Sequence, residues 1–233
     1  MCVIFVSEKT RPEADDMARA ATANKDGIGI TWVHPETKLV HWRKGLKLET
    51  AQNLVKVVPF PFAVHFRLAT IGGTSPQLTH PFPIEDGVSL KLKGKSSVGV
   101  LMHNGHWATW RNWLTRREEK RGPWSDSRAL AYLVRRIGTV NLLREIGGKF
   151  AIATPDGITT IGDFTVVKPG FVASNMFWKW EPQTYVHRSH KGNSMADHWY
   201  QEYMSAREAD DELNPLDQKA LVEYLNGQTR TGT

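Results

Sequence analysis

The chain contains a single cysteine, Cys2, in 233 residues. That excludes an intrachain disulfide and, with it, a small secreted framework held by cross-links. A reducing, cytoplasmic setting is the expectation. There is no run of about 18 apolar residues, so no membrane-spanning helix is expected. No secretory leader is expected either, because Glu8, Lys9 and Arg11 interrupt the first apolar stretch. Internal repeats and low-complexity segments are lacking as well. Acidic charge runs short: 24 Asp and Glu stand against 30 Lys and Arg, a formal net charge of +6. This permits attraction to anions. The densest basic stretch, R-N-W-L-T-R-R-E-E-K-R at 111–121, is mixed in sign and reads as a solvated helix face. No nucleic-acid motif accompanies it, so no nucleic-acid partner is expected.

What is present suffices for a packed core. Hydrophobic residues make up 40% and charged residues 23% of the chain, ordinary for a globular protein. Strands are predicted at 2–7, 28–33, 38–43, 64–70 and 97–102 from β-branched and aromatic runs. K-F-A-I-A-T and G-I-T-T-I-G form a predicted hairpin across P-D-G, followed by the short strands T-V-V-K and F-V-A-S. Helices are predicted at 12–22, with Pro12 at the start, at 107–118, and at 126–137 behind Ser125 as N-cap. From about 193 onward the pattern is helical. The order of elements indicates an α+β fold, two mainly antiparallel sheets packed together with helices outside. Residues 1–190 are read as one domain and 191–233 as a C-terminal helical extension.

Four short stretches carry candidate chemistry. Removal of Met1, which a small second residue permits, would leave Cys2 with both a thiol and a free α-amine, a nucleophile carrying its own base. The alternative is a small buried hydrophobe at a strand start. In H-F-R-L-A-T-I-G-G at 65–73, Arg67 stands at a strand end before a glycine-containing loop. It suits two-point binding of a carboxylate, or else a surface ion pair. In M-H-N-G at 102–105, the Asn104 amide and the Gly105 N–H form a potential oxyanion hole, or a plain turn. In G-P-W-S-D-S at 122–127, Asp126 either complements a helix N-terminus or holds an ammonium group. H-N-G-H at 103–106 and H-R-S-H at 187–190 lack a cysteine or carboxylate at ligand-like spacing, so no metal site is expected.

Taken in order, M-C-x-I-F, H-x-R-x-A-T-x-G, H-P-F, H-N-G, S-D-S and G-K-F-A resemble the class II glutamine amidotransferases, over residues 2–165. N-K-D-G-I-G-I-T at 24–31 is similar to the variant found in small stand-alone members. The chain departs from many members with Leu68, Ile71 and S-D-S at 125–127. The resemblance implies a four-layer α/β/β/α sandwich of the N-terminal-nucleophile hydrolase type. It implies Cys2 as nucleophile and Asn104 and Gly105 as oxyanion hole. Arg67 would hold the glutamine α-carboxylate with Thr70 supporting that loop, and Asp126 would hold the α-ammonium. The loop 71–80 would cover the substrate, with His80 at its far end. The implied reaction releases ammonia from glutamine through a γ-glutamyl thioester and needs no cofactor. The ammonia would pass to a separate synthase or ligase in trans. Cleavage of another amide, such as a γ-glutamyl peptide, and a non-catalytic binding protein with the same fold are the competing readings.

Overall fold

The first strand, β1 (Val3–Ser7), is buried along its whole length, as befits a strand with neighbours on both edges and both faces covered. In the computed structural model, residues 2–69 and 73–179 are described. The chain divides into two units, Met1–Glu181 and Pro182–Thr233, and the described residues all belong to the first. The boundary expected at 190 and the helices expected beyond 193 lie outside the described residues.

After β1 come α1 (Ala14–Ala23), β2 (Ile28–Val33), β3 (Val40–Leu46), α2 (Leu48–Val57) and β4 (Phe62–Phe66). Next are β5 (Phe82–Pro83), β6 (Lys93–Ser96) and β7 (Val100–Asn104). A 3-10 helix at Ala108–Trp113 leads to α3 (Arg116–Glu119), α4 (Asp126–Ile137) and α5 (Leu142–Ile146). The strands β8 (Lys149–Thr154), β9 (Gly157–Ile161), β10 (Thr165–Lys168) and β11 (Phe171–Ala173) follow. Seven strands form one sheet in the order β10-β11-β1-β4-β2-β3-β6, and four form a second in the order β5-β7-β8-β9. Every pairing is antiparallel. This is the expected α+β class with two antiparallel sheets.

Side-chain alternation decides what each face meets. In the seven-stranded sheet, Val3, Phe5, Ile30, Phe62, Val64 and Phe66 pack with Met17 and Ala20 of α1 and Ala51 and Val55 of α2. Phe5 sits edge-on to Phe66, Phe171 and Trp178, with ring centroids 5.1, 5.1 and 4.9 Å away. The opposite face sends Ile4, Val6 and Ala63 against Met102 and Ala151 of the second sheet. Alanines at 63, 151 and 153 keep this inter-sheet layer thin. The outer face of the second sheet, with Leu101, Phe150 and Ile152, packs on Leu130 and Val134 of α4 and Leu143 of α5.

Two expectations are corrected. The predicted helix over 107–118 is broken into the 3-10 helix and the single turn of α3. Thr115 forms a capping box with Glu118 and so starts a new turn rather than continuing an old one. The charged residues of 111–121 are exposed, as expected of a solvated stretch, except Glu118, which is buried and accepts a hydrogen bond from the Tyr132 hydroxyl. The predicted helix over 12–22 begins two residues late, at Ala14, because Glu13 and Asp16 form a capping box there.

Lys44 breaks the apolar pattern of β3. It lies on the inward face shared with Val40 and Trp42, is 1% exposed, and its Nζ has no hydrogen-bond partner among the described residues. The amine lies 4.4 Å from the Phe82 ring centroid. Burial, aided by Arg128 and Arg67 and opposed by Glu85, pulls its pKa from 10.5 to about 7. The unfolded chain therefore holds a proton that the folded one sheds, and stability rises with pH from about 7 to 10.5. Lys44→Met is expected to stabilise the protein at neutral pH by roughly 1–3 kcal/mol and to flatten that rise. Urea midpoints at neutral and alkaline pH check this; an unchanged or lower neutral midpoint contradicts it.

Candidate active site

Cys2 stands just before β1, and its neighbours on both sides of that strand fix it. The Leu68 N–H donates to Cys2 Sγ at 3.3 Å, and the thiol faces the Leu68 carbonyl at the same distance. Leu68 lies just past β4, the strand paired with β1. On the other side, the Asn175 amide donates to the Cys2 carbonyl at 2.7 Å. The Ser174 Oγ accepts from the Ile4 N–H at 2.9 Å. Burial pushes the thiol pKa up; the Leu68 N–H and Arg67 oppose this. The resting group is a thiol, so attack requires a base.

A small pocket opens at this end of the sheets, lined by Cys2, Arg67, His80, His103, Gly105 and Asp126, with Leu68, Ala69 and Leu78 supplying apolar wall. Arg67 is 3% exposed, and the N-K-D-G turn secures its backbone. Its carbonyl accepts from Asp26 N–H and its N–H donates to the Gly27 carbonyl, both at 2.9 Å. Asp26 Oδ2 also accepts from Ala69 N–H at 2.7 Å. Burial lowers the guanidinium pKa; Cys2, Asp26 and Asp126 pull it back up.

Asp126 opens α4, where Ser125 caps the helix by accepting from Arg128 N–H at 3.2 Å. The carboxylate is held on both oxygens. Oδ1 accepts from the Ser127 N–H at 2.7 Å, and Oδ2 from the Trp107 N–H at 3.2 Å. The pocket thus carries a fixed anion and a fixed cation.

Gly105 reaches the pocket at the end of β7, where a Cβ would fall 2.5 Å from His103 Nε2. Asn104 is 6% exposed, and its Nδ2 donates to Ser174 Oγ at 2.9 Å. Unlike Gly105, Asn104 is not among the pocket-lining residues. One Nδ2 hydrogen bonds Ser174, and an amide carries a second. His80 is 4% exposed, its ring centroid lies 3.9 Å from that of His65 with the planes tilted by 33°, and neither of its ring nitrogens has a hydrogen-bond partner among the described residues. Burial first, then the neighbouring His65 and His103 rings and the Arg67 and Lys44 side chains, holds His80 well below the usual imidazole pKa. Its carbonyl packs so closely on β2 that a Cβ on Gly29 would fall 1.7 Å from the oxygen. Thr70 and residues 71–72 of the expected covering loop lie outside the described residues.

The structure brings Cys2, Arg67, His80, Gly105 and Asp126 to one pocket, with Asn104 beside it. Sequence reasoning missed Ser174 and Asn175, which hold the Cys2 strand, and His103 and Ser127, which sit behind Gly105 and Asp126. In the sequence, F-V-A-S shows only as a short strand. Among the described residues no group of His, Cys, Asp and Glu is arranged to hold a metal ion, and no helix is long and apolar enough to cross a membrane. No protein-family model matches the chain, and no curated protein matches it.

Proposed function

We propose that the protein is a glutamine amide hydrolase of the N-terminal-nucleophile type, with the four-layer α/β/β/α fold of that class. The observation that carries this reading is a thiol at position 2 sharing one pocket with a buried guanidinium, a buried carboxylate and the Gly105 backbone. A free α-amino acid presents both an anion and a cation, and Arg67 and Asp126 offer a partner for each. Cys2, in the same pocket, would attack the side-chain amide of an amino acid held by that pair.

In this reading, loss of Met1 frees the Cys2 α-amine. The amine takes the thiol proton as Sγ attacks the side-chain amide carbon. The oxyanion forms at Gly105 N–H and the remaining Asn104 N–H, where one such donor is typically worth about 2.7–4 kcal/mol. The amine returns its proton to the leaving nitrogen, ammonia departs, and water hydrolyses the γ-glutamyl thioester. The clamp selects free glutamine over peptides, whose ends are blocked. Delivery of the ammonia to a separate synthase or ligase is part of the same proposal.

Intact-mass measurement together with a glutamine-dependent ammonia assay tests the reading. The expected result is a chain lacking Met1 that releases ammonia and glutamate in equal amounts. A retained Met1, or no turnover by a processed chain, overturns it.

A further inference from the structure

We propose that His103 is a positioning residue that ties the oxyanion donor Gly105 to the ammonium-binding Asp126. This rests on the glutamine hydrolase reading and assigns a role that the reading itself does not contain. The ring is 2% exposed and fixed on several sides. It stacks on Phe150 with centroids 4.7 Å apart and planes at 9°. Its backbone carbonyl accepts from His65 Nε2–H at 3.0 Å.

Each ring nitrogen faces a different half of the site. Nδ1 lies 3.1 Å from Ser127 Oγ, and Ser127 Oγ lies 3.2 Å from Asp126 Oδ1. Asp126 Oδ2 is 3.9 Å from the same nitrogen. The carboxylate accepts from the hydroxyl, so the hydroxyl accepts from Nδ1–H, and the proton of a neutral ring sits on Nδ1. Nε2 then points its lone pair at two glycines. A Cβ on Gly105 would lie 2.5 Å from it and a Cβ on Gly148 3.0 Å. Nε2 has no hydrogen-bond partner among the described residues. The ring edge is therefore the backing against which the Gly105 backbone rests, and the direction of its N–H depends on that ring.

Two substitutions separate the two edges. His103→Phe keeps a ring behind Gly105 and loses the bond to Ser127. It is expected to raise the glutamine KM about tenfold, the scale of one lost hydrogen bond, with kcat within about threefold. His103→Asn keeps a polar atom near the Nδ1 position and removes the ring. It is expected to lower kcat on the order of 10- to 100-fold with KM within about threefold. Ser127→Ala breaks the same link from its far side without touching the ring, and should raise KM as His103→Phe does. Parallel loss of kcat and KM in both His103 variants overturns the proposal. If those variants fail to fold, an unchanged KM in Ser127→Ala overturns it. Wild-type protein that does not hydrolyse glutamine overturns the functional reading, and this proposal with it.

Discussion

Cys2→Ala is expected to abolish ammonia release from glutamine, by a factor on the order of 10⁴–10⁶, while the protein stays folded. Loss of a sole nucleophile carries effects of this size because residual turnover comes only from binding and the oxyanion donors. The structural cost is small. Cys2 is partly exposed, its Sγ accepts one long hydrogen bond from Leu68 N–H, and β1 begins only after it. Alanine is also a small second residue, so Met1 processing is unchanged and the thiol alone is tested. The measurement pairs an ammonia assay with a thermal melt. A folded variant that keeps its activity points to another nucleophile and removes the basis of the proposed function.

Arg67→Ala carries the second largest expected effect, and a discriminating one. The guanidinium is buried in the pocket wall, and truncating a buried charged partner costs about 2–5 kcal/mol in binding. The glutamine KM should rise roughly 10²–10³-fold. For 4-aminobutanamide, which keeps the amide and the amine but has no α-carboxylate, KM should stay within about threefold of the wild-type value. The backbone bonds of residue 67 to Asp26 and Gly27 do not involve its side chain, so the turn that frames the pocket survives. Arg67→Lys restores the charge without the planar fork and should recover only part of the loss. Equal losses for both substrates would refute the carboxylate clamp.

Local rules made much of the fold legible. The hairpin of β8 and β9 across Pro155 and Asp156 follows from its turn residues and alternation, and Ser125 caps α4 as its side chain dictates. Other elements have little local signature. α2 begins after Lys47, an N-cap residue that makes no side-chain cap, and is held by burying Ala51 and Val55 against the seven-stranded sheet. β5 and β6 are two and four residues long, and β6 pairs only at the sheet edge. The candidate site divides the same way. Cys2, Arg67, Gly105 and Asp126 have chemistry that shows in their own short stretches. Ser174 and Asn175 act on Ile4, Asn104 and Cys2 across separations of 170, 70 and 173 residues. No spacing rule reaches that far. His103 shows in the sequence only as a member of M-H-N-G and H-N-G-H, because its contacts depend on Ser127 and on two glycines meeting at one ring.

The position of β1 between β4 and β11 also sets an order in time. β1 is synthesised before either of its neighbours, and it waits longest for β11. Cys2 gains its Leu68 contact once β4 has emerged, but the bonds from Ser174 and Asn175 need a chain extended past residue 175. Until then the N-terminal segment is held along one edge only. Nascent chains and fragments ending before residue 175 therefore lack the bonds that hold Cys2 and Ile4 on the β11 side, and the setting of the thiol is complete only once that residue has been made.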